Sequence, residues 1–219
     1  MNLCNFDMEQ FFNSNNYIIE DVKTIGVFNP KRWTETFGKS LTRNIIEAKI
    51  IHTLEGLTIP LKRYAGAKEM QVVEFAGING YTEKSRLLKS LLIELIPQFQ
   101  NCILKRVDVC KDYLRVPNSI IKRICTNGRE PFKPNSHKWN TTYYKTAKEK
   151  KSNTTIDIKK YDKQIKDKLA KPMERLEFAF KGAYLKNMEL KELEAKLLHK
   201  MEKSIFKFSG ISNKIIPIS

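Results

Sequence analysis

Chemistry-capable side chains concentrate between Asn153 and Gly182. A first segment ends in Lys159-Lys160-Tyr161-Asp162-Lys163, and a second runs from Met173 to Lys181 as MERLEFAFK. Both read as strands, in which successive side chains point to opposite faces. Leu176, Phe178 and Phe180 then share an apolar face, while Arg175, Glu177 and Ala179 share the other. In the first segment Ile156 and Ile158 occupy one face, and Tyr161 lies with Asp157 and Lys159 on the opposite one. If the two strands pair, a phenol, a carboxylate and a guanidinium meet on one surface. Such a set suits phosphoryl transfer: a nucleophile, a metal ligand and a charge stabiliser.

A third strand, Cys102 to Asp112, adds to it. Ile103, Val107 and Val109 fall on one face, Arg106 and Asp108 on the other. A mid-strand carboxylate between two valines is costly unless paired. Two pairings are open: a salt bridge to Arg106 or Arg175, or a hard cation shared with Glu177. Oxygen ligands of that kind favour Mg²⁺ or Mn²⁺. Spacing does not single out Tyr161 as nucleophile, because Tyr143 and Tyr144 compete and five further tyrosines exist. The three histidines, His52, His137 and His199, are far apart, which argues against a histidine metal cluster. No phosphate-cradling glycine loop occurs, so ATP hydrolysis is not expected.

These segments need a scaffold. Residues 1 to 20 read as helical or irregular, Asp21 to Phe28 as a first strand, and residues 30 to 43 as a basic loop. Asn44 to Thr53 and Leu57 to Tyr64 read as a hairpin turning at Glu55-Gly56, with a further strand from Glu69 to Ala76 that carries Glu74. Thr82 to Ile96 has the apolar stripe of a helix and stops at Pro97. Pro117 to Cys125 reads as a short helix, Asn127 to Pro134 as a loop, and Thr141 to Thr146 with Thr154 to Tyr161 as a hairpin with a basic tip. Asp162 to Leu169 reads as a brief helix or loop, and Asn187 to Lys203 as a second amphipathic helix. The order indicates an α+β fold: antiparallel sheets with amphipathic helices packed on one face. Two halves, 1–98 and 99–219, repeat a coarse order of hairpin, Glu-bearing strand and helix, and are expected to form one compact unit.

The 40 Lys and Arg outnumber the 24 Asp and Glu, giving a net charge of +16. That surplus points to a polyanionic partner, nucleic acid first. A lysine-rich solvated surface from compositional bias is the plainer alternative. No signal peptide and no bilayer-length apolar run is expected, and the four cysteines lack zinc spacing, so a cytoplasmic protein with reduced thiols is the expectation.

The motifs LKRVDVCKD, TTYYKTAKEK…IKKYDKQIK and MERLEFAFKG, in this order and spacing, resemble rolling-circle replication initiators of small plasmids. That family includes phage replication initiation factors and related conjugative relaxases. VVEFAGINGY and DVKTIG are similar to its N-terminal half, more loosely. The resemblance spans roughly residues 20 to 186 and implies the initiator nickase fold. It makes Tyr161 the nicking tyrosine, Asp108 and Glu177 acidic positions of the site, and Arg175 and Lys163 their basic companions. Glu74 and Asp21 match acidic positions that could complete the metal site. Lys159 stands where those relatives carry arginine, which keeps charge but loses a bidentate phosphate fork. The relatives also continue beyond the second long helix into segments that help recognise the origin.

The resemblance thus implies metal-dependent nicking and rejoining of single-stranded or hairpin origin DNA through a 5′-phosphotyrosine. Phosphates would be held by Arg106, Lys159, Lys160 and the lysines Lys145, Lys148, Lys150 and Lys151, with Lys39 and Arg43 from the earlier loop. A helicase or polymerase partner and a homodimer are compatible with it; a membrane is not expected. The rival is a non-catalytic nucleic-acid-binding module in which the same acids are merely salt-bridged. The enzymatic reading requires the acids on one sheet surface and the phenol in a solvent-reachable hollow.

Overall fold

The computed structural model describes residues 7–66, 71–78, 82–99, 101–134, 139–150, 155–186, 188–192 and 197–212. The chain divides between Cys102 and Ile103 into two units. Each holds one five-stranded antiparallel sheet with helices, so the expected α+β class is found.

The first unit opens with α1 (Met8–Ser14), whose free amides are capped by the Asp7 carboxylate. It continues through β1 (Ile18–Thr24), β2 (Val27–Phe28), α2 (Pro30–Phe37), β3 (Ile45–His52), β4 (Thr58–Tyr64) and β5 (Gln71–Val73) to α3 (Glu83–Leu95). The sheet order is β2-β1-β3-β4-β5. The single strand expected over Asp21 to Phe28 is instead a tight hairpin, because Gly26 takes φ +83° and turns the chain back. The expected loop over residues 30 to 43 contains α2. Its signals are local: the Asn29 side chain accepts from the Arg32 amide, Pro30 sits in the first turn, and Gly38 closes it in the left-handed conformation. Trp33 of α2 packs on Val22, Ile45, Ala48 and Ile50, forming an apolar core. α3 begins at a Thr82–Ser85 capping box, close to where the sequence puts it.

The second unit contains β6 (Arg106–Tyr113), α4 (Asn118–Thr126), β7 (Glu130–Phe132), β8 (Thr142–Lys145), β9 (Ile156–Asp162), α5 (Lys163–Asp167), β10 (Glu174–Lys181) and α6 (Leu198–Ser209). The sheet order is β6-β10-β9-β8-β7, which makes β10 an interior strand, paired with β6 on one side and β9 on the other. Val107, Val109, Ile156, Ile158, Leu176, Phe178 and Phe180 line one face, under Ile120, Ile121 and Ile124 of α4 and Met201 and Ile205 of α6. Period-two alternation therefore sends every odd-numbered residue from Arg175 to Ala179 to the opposite face. β7 forms where a loop was expected, and β6 starts at Arg106 rather than Cys102. The second long helix begins later than its sequence pattern and runs on to Ser209; residues 193–196 lie outside the described residues.

Candidate active site

Register brings the chemistry together. On β10, Arg175 lies between Asp112 of β6 and Tyr161 of β9, and Glu177 lies between Cys110 and Lys159. Ala179, the small residue of the row, lies between Asp108 and Asp157. All are on the face opposite α4 and α6. The expectation that Tyr161, Asp108, Glu177 and Arg175 share one sheet surface is met by this register.

Glu177 is the hub, with only 4% of its surface exposed. Its Oε2 accepts from the Tyr161 hydroxyl at 3.3 Å. Its Oε1 receives Lys159 Nζ at 2.8 Å and Arg106 Nη2 at 3.4 Å. Burial opposes its charge most strongly, but Lys159, Arg106 and Lys166 together hold the carboxyl below its usual range. Asp108 is clasped by Arg106, at 2.6 Å from Nε and 3.0 Å from Nη2. Its carboxyl is nevertheless pushed up, by burial first and by the neighbouring Glu177 charge as well. One guanidinium is thus shared between two mutually repelling carboxylates. Arg175 makes a fork with Asp112, both contacts at 2.6 Å. Burial works against that guanidinium's charge, and the Asp112 pairing overcomes it.

Tyr161 departs from expectation. The phenol is 2% exposed, not in an open hollow. Its cover is cationic: Lys166 Nζ stands 4.8 Å from the ring centroid and Lys159 Nζ 5.3 Å. Burial, then the Glu177 charge, drive the phenol's pKa far above its ordinary value. Lys166 also stands 5.2 Å from the ring of Trp139, so its ammonium is held between two aromatic faces. Burial first, then Lys163, lower its pKa.

Sequence reasoning missed Lys166 and Asp112. Asp112 carried a signal, since the alternation that pairs Arg106 with Asp108 continues to it. Lys166 could be found only once α5 was fixed as a helix, three residues beyond Lys163. Lys163 itself is buried and turns its ammonium to Asp167. Of the competing tyrosines, Tyr144 is in the apolar core, while Tyr143 shares the Tyr161 face on β8.

The other expected residues are scattered. Lys160 points to the opposite face and pairs with Glu174 at 2.8 Å. Lys150 pairs with Glu130 at 2.7 Å, Lys145 lies over two aromatic rings, and Lys148 is exposed at the turn. Lys151 lies outside the described residues. Asp21, Glu74, Lys39 and Arg43 belong to the first unit. There Asp21 faces Lys49 at 3.4 Å, and Glu74 receives Lys39 at 2.8 Å and Lys62 at 2.7 Å. Burial disfavours the Glu74 charge, yet those two lysines bring its pKa down to about 2.

Among the described residues, no three His, Cys, Asp or Glu side chains form a ready metal cage. The Asp108–Glu177 pair still fits a hard cation. Its two carboxylates converge on one positive group, and that group is a half-exposed, flexible arginine side chain able to withdraw. No helix among the described residues is long and apolar enough to cross a membrane. Comparison with protein-family models, curated proteins and solved structures gave no match.

Proposed function

We propose that the second unit is a DNA-nicking and rejoining centre of the kind that starts rolling-circle replication, with Tyr161 as nucleophile. The observation that carries the proposal is the Tyr161 hydroxyl aimed at Glu177 Oε2, 3.3 Å away, on the sheet face that also presents Arg175, Arg106 and Asp108. Glu177 Oε2 takes the phenolic proton as the Tyr161 oxygen attacks phosphorus. The phosphorus–O3′ bond breaks, and the 3′-oxygen leaves and takes a proton from water. The DNA 5′-phosphate is then esterified to Tyr161. Attack by a 3′-hydroxyl reverses the step and rejoins the strand without ATP, because one phosphodiester is exchanged for another.

Arg175 is positioned by Asp112 to stabilise charge on the attacked phosphate. Lys159 neutralises Glu177 until the proton arrives. Mg²⁺ or Mn²⁺ would be held by Asp108 and Glu177 in place of the Arg106 guanidinium, supplying Lewis-acid polarisation of the phosphate. The solvent-reachable hollow that this reading requires is closed in the structure, where Tyr161 is 2% exposed, so Lys166 must swing off the phenol for a phosphate to reach it.

The test is covalent capture. Supercoiled and single-stranded DNA are incubated with the protein and Mn²⁺, then denatured. A protein–DNA adduct is expected that disappears in Tyr161→Phe and in EDTA, while binding persists in both. An undiminished adduct from Tyr161→Phe moves the nucleophile elsewhere.

The burial of Tyr161 favours a second reading, a basic nucleic-acid-binding module without chemistry. It expects no adduct with any divalent cation, and equal binding by wild type and Tyr161→Phe in EDTA.

A further inference from the structure

The polar face of the second sheet carries an aromatic pair that the proposed chemistry does not use. Phe132 of β7 lies directly opposite Tyr143 of β8, and Tyr143 lies directly opposite Lys159 of β9. Lys159 in turn faces Glu177. One row therefore crosses the sheet from the β7 edge to the candidate site. The fold's apolar surface is on the other side, under α4 and α6, so packing gives no reason for a large apolar ring here. Phe132 is nonetheless 38% exposed. Lys145 Nζ lies over both rings, 5.8 Å from Phe132 and 5.6 Å from Tyr143. Among the described residues no carboxylate is in ion-pair range of that ammonium. Glu130, on the same face, is neutralised by Lys150 at 2.7 Å.

We propose that Phe132 and Tyr143 form a stacking platform for unpaired nucleobases, with Lys145 as its phosphate ligand. Neighbouring strands lie roughly 5 Å apart, which sets the rings side by side. A base needs only a π-face to stack, so the platform is indifferent to sequence and selective for single strands, whose bases are free. A stacked base displaces the ammonium from the rings, and the freed Lys145 meets the adjoining phosphate. The row then leads the strand across Lys159 toward Tyr161. The direction of the strand rests on the nicking proposal, but the platform itself does not.

Binding is measured by fluorescence anisotropy in EDTA, with the full chain carrying Tyr161→Phe, so that cleavage plays no part. The probes are a fluorescein-labelled dT12 and the corresponding dA·dT duplex. dT12 should bind tighter than the duplex. Phe132→Ala and Tyr143→Ala should each weaken dT12 binding about tenfold and leave the salt slope unchanged. Lys145→Ala should lower that slope by about one. Phe132→Leu, which keeps apolar bulk but lacks a π-face, should bind as poorly as Phe132→Ala, whereas Phe132→Tyr should bind like Phe132. Circular dichroism identifies any variant that fails to fold, and the Leu and Tyr variants then decide. Equal dT12 affinity for Phe132→Leu and Phe132→Tyr, or a preference for duplex, overturns the platform. Loss of the covalent adduct with this binding pattern intact overturns only the nicking proposal.

Discussion

At the scale of single residues, the telling group is the phenol. Tyr161 is buried, yet it is not packed in the apolar core; its neighbours are Glu177, Arg175, Lys159 and Lys166. A phenol raised in pKa and held near a carboxylate stays protonated, donates a hydrogen bond and is a poor free nucleophile. It becomes reactive only when the proton has somewhere to go as the new bond forms. Lys166 is therefore the residue to change. Lys166→Ala removes the cation above the ring without touching the apolar core. Nitration of Tyr161, followed by peptide mass spectrometry, should be several-fold faster in that variant than in wild type. Equal rates would show that something other than Lys166 shields the phenol.

At the scale of elements, the sheet does the positioning, and its strength comes from its other face. Phe178 is 2% exposed between Leu176 and Phe180 in the layer under α4 and α6. Truncating it leaves a cavity that close packing cannot refill. Phe178→Ala should cost about 3–5 kcal/mol, read as a lower urea midpoint at unchanged slope. A loss below ~1 kcal/mol would mean that this layer is loosely packed. The same alternation explains how much was legible beforehand. Leu176, Phe178 and Phe180 announced a core face, so the opposite placement of Arg175 and Glu177 followed from period two alone. Asp108 followed the same rule, and its partner Arg106 was one of two arginines already in view. What period two does not give is what lies above a face. The cation over Tyr161 comes from Lys166 of α5, a five-residue helix that its sequence marks only weakly. β7 was hidden for a related reason: Pro131 sits in it, and proline inside a strand is tolerated only at an edge, where β7 lies. α2, by contrast, had readable signals in Asn29, Pro30 and Gly38, and they were outweighed by its basic composition.

At the scale of the whole molecule, the excess of positive charge is large, but much of the lysine and arginine near the site is already paired. Glu177 alone engages Lys159 and Arg106, Asp112 engages Arg175, and Glu174 engages Lys160. The net charge of +16 therefore overstates the number of cations ready to meet phosphates. Affinity for single-stranded DNA should fall with salt at a slope reflecting only a few phosphate contacts, on the order of three to five. Titrations of dT12 between 50 mM and 300 mM potassium chloride measure it. A slope near ten would mean that the paired cations also open toward DNA.

The interior place of β10 has a mechanical corollary. Hydrogen-bonded along both sides, it gives Arg175 and Glu177 a stiff mounting. Uncovering the phenol then calls for no hinge, lid or sliding of layers. The gate is a lysine arm, and rotamer changes of exposed side chains take picoseconds to nanoseconds. Under the proposed nicking chemistry, access to Tyr161 would be renewed far faster than strand transfer, and the slow events would belong to the DNA and the bond rather than to the protein's backbone.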